Sequence, residues 1–163
     1  NAGGDTTRNL LAAGLQALFD HPDQHARLMA DLSLVPSAVE EMLRWTTPVV
    51  AFMRTATPDT ELRGVATSAG DPVLLLYAAA NRDEDVFGAD AGEFRVDREH
   101  NNHVALGFGT HFCIGAALAR LEGRVLLEEL LDRWQRIEPA GEVVRTGSAI
   151  IAGLKQAPIT LLA

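Results

Sequence analysis

The chain has 163 residues, enough for one domain with a real core, and 47% of them are hydrophobic, as is ordinary for a globular protein. Lys plus Arg number 14 against 22 Asp plus Glu, a net charge of −8, with no basic run that could serve as a nucleic-acid footprint. One cysteine excludes an intramolecular disulfide framework, and no apolar stretch approaches the roughly 20 residues that span a bilayer, so the expectation is a soluble, cytoplasmic protein without nucleic-acid partner or membrane span.

After residues 1–7, Leu11, Leu15, Leu18 and Phe19 recur along one face of a helix. From pattern alone, Asp5 or Thr6 is its N-cap, and Gly3 and Gly4 form a flexible lead-in. A second, short helix follows, with Asp20 as cap, Pro22 in the first turn, and Leu28 and Met29 on the apolar face. His21 and His25 sit there among polar residues and read as solvent-facing. In the third helix Ser37 and Glu40 have the spacing of a capping box, Val39, Met42 and Leu43 supply the apolar face, and Pro48 lies past the end. Glu41 and Arg44, three apart, share a face on which a carboxylate and a guanidinium can pair.

Short β-like runs follow at 49–52, 60–65 and 73–76, separated by Pro, Asp and Gly turns, and predict a small sheet. Arg54 stands at the end of the first. Residues 86–102 are polar and aperiodic. Then comes Leu106-Gly-Phe-Gly-Thr-His-Phe-Cys-Ile-Gly115, which carries the only cysteine, Cys113. Gly107, Gly109 and Gly115 let the backbone turn tightly and lie close against a flat ligand. A long helical pattern, Leu118, Leu121 and Val125 through Leu131 to Trp134, begins directly after it, so the thiol sits at a helix N-terminus, where a sulfur is well placed as ligand or nucleophile. His111 adds a second donor. The tail holds strand-like runs at 143–144, 150–151 and 159–162.

Set against F-x-x-G-x-[RH]-x-C-x-G, the thiol stretch resembles the haem-binding loop of the cytochrome P450 monooxygenases, matching at Gly109, His111, Cys113 and Gly115, with Leu106 where the family usually has Phe. The resemblance implies that Cys113 is the axial thiolate on the iron of haem b, that His111 and Arg54 bond the haem propionates, and that Gly107, Phe108 and Gly115 lie against the macrocycle. Ala2-Gly-Gly-Asp-Thr-Thr7 looks like the family's oxygen-activation motif inside the long distal helix. Asp5 would then be the acid of a proton relay and Thr6 its hydroxyl. Glu41 and Arg44 resemble the family's E-x-x-R, with Arg98 as the third, structural member of a buried network. Val49, Val50 and Phe52 match the segment that lines the substrate pocket.

The implied fold is mainly α with a small β-sheet, residues 1–163 being the carboxy-terminal portion of a single cytochrome P450 domain without its amino-terminal half. The implied reaction inserts one oxygen atom of dioxygen into an apolar small molecule. Its electrons come ultimately from a nicotinamide cofactor through a ferredoxin- or flavodoxin-type donor and its reductase. Two other chemistries fit parts of the pattern: a non-catalytic haem-thiolate sensor, and a cysteine-nucleophile enzyme using Cys113 and His111.

Overall fold

The computed structural model describes residues 2–162. Helix α1 (Ala2–Asp20) buries Leu10, Gly14, Ala17 and Leu18, a stripe at helical spacing, against α3 (Val35–Thr46). Gly3, Gly4, Asp5 and Thr6 all lie within α1, so neither the flexible lead-in nor an N-cap at Asp5 or Thr6 is realised. Between these helices runs α2 (Pro22–Ala30), with Pro22 in its first turn. Asp20 does not cap it: Asp20 ends α1 and accepts from Gln16, and His21 is the capping residue, without a side-chain cap bond. His21 is not turned to solvent either. It packs against the Trp45 and Phe94 rings, with centroids 5.2 and 5.1 Å away, and its Nδ1 lies 2.8 Å from the Ala17 carbonyl. His25 is half-buried beside Phe19, and that burial depresses its pKa.

The expected capping box at α3 is also replaced. Pro36, which needs no N–H, stands in the first turn, so the helix begins at Val35, ahead of Ser37. The Ser37 hydroxyl lies 2.9 Å from the Leu34 carbonyl and 2.7 Å from the Val96 carbonyl, and Glu40 turns away to distant partners. Thr47, in the left-handed region at φ 39°, ends the helix.

Among the described residues, the strands form four small two-stranded antiparallel ribbons. Strand β1 (Ala51–Thr55) pairs with β4 (Pro72–Leu76), and between them β2 (Thr60–Leu62) and β3 (Val65–Thr67) form a hairpin. The single run expected over 60–65 folds back on itself because Arg63 and Gly64 both take positive φ, 47° and 83°, as the tightest hairpin turn requires. Two short helices, α4 (Tyr77–Ala80) and α5 (Glu84–Phe87), lead into an irregular stretch ending at the thiol loop. The long α6 (Ala116–Arg133) then packs on both α1 and α3, burying Ala116, Gly123, Leu127 and Leu131, while Leu118, Leu121 and Val125, the apolar recurrence read from the sequence, lie on its exposed side.

The tail adds β5 (Arg136–Pro139), β6 (Val144–Arg145), β7 (Leu154–Gln156) and β8 (Ile159–Leu162), pairing as β5 with β8 and β6 with β7. Of the expected run at 150–151, only an isolated bridge from Ile151 to Val49 forms. β5 escapes the periodicity reading because its four residues hold a single buried apolar side chain, Ile137.

The core lies where α1, α3 and α6 meet, and two glycines set their approach. A Cβ at Gly14 would stand 1.9 Å from Met42 Cε, and one at Gly123 3.1 Å from Val39 Cγ1. Met42 is buried, so it has little room to withdraw. Gly14→Ala is therefore expected to lower stability: overpacking costs about 1–3 kcal/mol and the helix propensity of alanine returns about 1 kcal/mol. Denaturant unfolding measures the difference, and a net gain would show that Met42 moves aside freely.

Candidate functional site

The thiol loop is held by its own backbone. The Cys113 N–H donates to the Leu106 carbonyl at 2.8 Å, Gly107 N–H to Val104 at 2.9 Å, and Phe112 N–H to Gly109 at 3.1 Å. Gly107 has no substitute: its φ is +79°, and a Cβ there would stand 2.7 Å from the His111 carbonyl oxygen. The Ala116 N–H donates to the Cys113 carbonyl at 3.2 Å, so the cysteine stands at the entry to α6. Its side chain is exposed and its neighbours are apolar and uncovered: Phe108 is 82% exposed, Phe112 52% and Ile114 fully. An exposed thiol on a glycine-turned loop that also carries uncovered apolar side chains suits a flat apolar ligand held by the sulfur.

Behind the loop lies a buried charge network. Glu41 and Arg44 on α3 are both fully buried, and Arg44 Nε and one terminal nitrogen each donate to a Glu41 oxygen at 2.7 Å. The remaining Arg44 N–H groups donate to the carbonyls of Asn81, Ala91 and Glu93 at 2.7–2.8 Å, which uses all five guanidinium donors. Glu41 also accepts from the Arg95 N–H at 2.8 Å and from Asn101 Nδ2 at 3.0 Å. Arg98 Nε lies 3.3 Å from Glu41 Oε2, an ion pair whose angle falls outside hydrogen bonding. Its terminal nitrogens reach Asp90 and the carbonyls of Asp90 and Glu93. Glu41, Arg44 and Arg98 are thus brought together, and the irregular chain over 90–101 is folded around them.

The other expected site residues lie on separate elements. Asp5 is exposed and pairs with Arg8 at 3.4 Å, and Thr6 is half-buried, both on α1. Arg54, on β1, rests its guanidinium 5.7 Å from the Phe52 ring centre, and among the described residues it has no carboxylate partner. His111 is exposed in a short 3-10 turn. Val49 and Val50 are half-buried and Phe52 is 44% exposed against Tyr77, so all three have surface to offer a ligand.

Comparison with known proteins adds the deciding observation: the family model for Cytochrome P450 matches residues 1–159. The chain belongs to the cytochrome P450 family. It is 51% identical over 131 residues to the steroid C26-monooxygenase of Mycolicibacterium smegmatis, covering 80% of this chain and 32% of that protein. To the methyl-branched lipid omega-hydroxylase of Mycobacterium tuberculosis it is 45% identical over 161 residues, 98% of this chain and 37% of that one. Among solved structures, cytochrome P450-153 from Novosphingobium aromaticivorans superposes with a TM-score of 0.92 at 44% identity, over 96% of this chain and 40% of that one. The chain therefore spans about a third of the length of these curated relatives. No helix among the described residues is long and apolar enough to cross a membrane.

Membership of the cytochrome P450 family implies a haem, and the loop fits one: a single exposed thiol, apolar neighbours, and a Gly115 whose Cβ would stand 3.8 Å from the sulfur. Three features escaped the sequence. Asn81, fully buried, donates to Thr47 Oγ1 at 2.8 Å and accepts from the Val104 N–H at 2.8 Å, tying the end of α3 to the approach of the thiol loop. Asp90 anchors both Arg95 and Arg98. Glu40 pairs with His103 and Arg120, 63 and 80 residues away, which no local pattern could show.

Burial alone would raise the Glu40 carboxyl, but hydrogen bonds from His103 and Arg120, together with the Arg120 charge, outweigh it and bring it from 4.5 to about 2. The folded-state value lies below the unfolded one. Its contribution to stability is therefore complete above a pH of about 4.5 and is lost as the pH falls toward about 2. Glu40→Gln should flatten that part of the stability-against-pH curve measured by denaturant unfolding. Arg44→Ala should be far more damaging, about 3–5 kcal/mol, because buried Glu41 loses its bidentate partner and keeps only the longer Arg98 ion pair, and three backbone carbonyls lose their donor. Arg44→Lys, with three donors in place of five, should recover only part of that loss in the same measurement.

Proposed function

We propose that the protein is a haem-thiolate monooxygenase that inserts one oxygen atom of dioxygen into an apolar small molecule, with Cys113 as the thiolate that would hold the iron of haem b. The observation that carries this reading is the exposed Cys113 among Phe108, Phe112 and Ile114 at the entry to α6, in a chain of the cytochrome P450 family. Bound there, the haem supplies the activation of dioxygen, and a thiolate ligand pushes electron density that favours O–O cleavage.

The chain's own residues hold and serve that group. Gly107 and Gly115 let the backbone lie close to it, and Arg54 and His111 donate to its propionates, the guanidinium fork suiting a carboxylate. Asp5 and Thr6 would move protons to that chemistry: the Asp5 carboxylate would leave Arg8, take a proton from solvent and pass it toward Thr6 Oγ1. Glu41, Arg44 and Arg98 keep the segment before the loop in place. Val49, Val50 and Phe52 line the substrate pocket, and a steroid C26-monooxygenase and a lipid omega-hydroxylase among the relatives support an apolar substrate. A ferredoxin- or flavodoxin-type donor with its reductase delivers electrons from a nicotinamide cofactor. In the whole protein, the haem and the rest of the P450 fold cover the exposed apolar surface, including Met53, Leu74 and Leu76 on the β1–β4 ribbon.

The test is the optical spectrum of the haem-loaded, full-length protein after reduction and exposure to carbon monoxide. A strongly red-shifted Soret band is expected, absent in Cys113→Ser. Thr6→Ala should keep that band while diverting electrons from product into hydrogen peroxide. A band that survives Cys113→Ser overturns the ligation. An intact band with no turnover, indifferent to Thr6→Ala, would mark a haem-binding sensor in place of an oxygenase.

A further inference from the structure

Two neighbouring acids on α3 point in different directions. Glu41 is spent on the buried network, whereas Glu40 faces the groove between α3 and α6, where Gly123 seats against Val39 and fixes the spacing of the two helices. Arg120, on α6 one turn beyond Ala116, grips Glu40 with two parallel bonds: Nε to Oε1 at 2.6 Å and a terminal nitrogen to Oε2 at 2.9 Å. His103, whose side chain is almost fully buried, meets the same carboxylate through Nε2 at 3.1 Å. The other ring nitrogen accepts the Ala105 N–H at 3.2 Å, which leaves Nε2 as the nitrogen that faces Glu40.

These bonds continue to the thiol. His103 orients Ala105, and the next residue, Leu106, accepts the Cys113 N–H. Val104 is held on its other side by Asn81. From the far end, Arg120 sits on the helix whose first turn begins at the Cys113 carbonyl. One carboxylate therefore holds the chain both before and after the cysteine.

We propose that Glu40 is a positioning residue for Cys113, a clasp that joins the segment entering the thiol loop, through His103, to the helix leaving it, through Arg120. The inference rests on the haem-thiolate reading of Cys113 for its spectroscopic consequence but not for its effect on the loop. Because the Glu40 carboxyl is held near 2, the clasp stays charged at any working pH and does not act as a switch. A group bonded directly to a metal ligand typically changes affinity by about 10–100-fold, and Glu40, several bonds further back, is expected at or below the low end of that range.

The experiment uses the haem-loaded, full-length protein with Glu40→Gln, Glu40→Asp, His103→Gln and Arg120→Gln, alone and combined. Three quantities are read: the fraction of the carbon monoxide complex with the thiolate band, the rate of haem loss, and amide exchange at Ala105 and Cys113. Glu40→Gln is expected to lose thiolate band, to release haem faster, by up to about 10-fold, and to expose both amides to exchange. Glu40→Asp, a methylene shorter, should restore the charge but reach only one flank, giving a partial rescue. His103→Gln and Arg120→Gln should be non-additive while Glu40 is present and have no further coupling once it is replaced.

Additive effects with Glu40 intact overturn the proposal. So does a Glu40→Gln protein that unfolds at lower temperature with band, haem loss and exchange unchanged, since that is a merely structural role. Should Glu40→Gln fail to fold, the His103→Gln and Arg120→Gln pair decides by the same additivity. Amide exchange needs no haem, so a faster-exchanging loop in a protein lacking the Cys113-dependent band would refute the haem-thiolate reading and leave the clasp standing.

Discussion

A carboxylate and a guanidinium with no access to water are costly to bury, and everything near Glu41 and Arg44 is arranged to meet that cost. Their mutual attraction is not enough. Each remaining donor and acceptor needs a partner, and the chain supplies backbone: the carbonyls of Asn81, Ala91 and Glu93 for the guanidinium, and the Arg95 N–H for the carboxylate. The result is a long segment with almost no regular structure whose path is nonetheless specified. A stretch without helix or strand still has a full set of backbone groups to satisfy, and here a buried ion pair on α3 satisfies several of them.

The consequence for the site is positional. The segment folded around Glu41 and Arg44 delivers His103, Val104 and Ala105 to the start of the thiol loop, where Glu40, Asn81 and the His103 ring receive them. On the other side α6 is pressed against α3 at Gly123, which carries Arg120 to Glu40. Helix α3 thus acts as a common post: one acid organises the approach to Cys113 from the core, and the adjacent one ties that approach to the exit helix. Rigid support of this kind fixes a side chain whose own loop is exposed.

The apolar surface has the opposite character. Phe108, Phe112 and Ile114 beside the cysteine stand uncovered, as do Phe52, Met53, Leu74 and Leu76 on the β1–β4 ribbon. A two-stranded ribbon is marginal in water unless a face is packed. The chain spans about a third of the length of its curated relatives, and the same side chains that would be a liability alone are those a haem and a larger cytochrome P450 fold would cover.

How much of this was legible in the residues follows from how far apart the partners lie. The apolar stripes of α1 and α3, the existence of the long α6, the pairing of Glu41 with Arg44 three residues on, and the glycine-turned entry of Cys113 into a helix are local facts, decided by spacings of three or four residues and by φ values only glycine tolerates. The sequence by itself determined those. It could not determine that Ser37 gives up a capping box for the carbonyl of Val96, that His21 leaves solvent for a cleft between Trp45 and Phe94, or that Glu40 closes on His103 and Arg120. Those partners are tens of residues away along the chain, and competing local choices differ by only about a kilocalorie per mole. Only when α1, α3 and α6 are packed does burial decide among them, because a polar group removed from water must take the partner the tertiary structure brings to it.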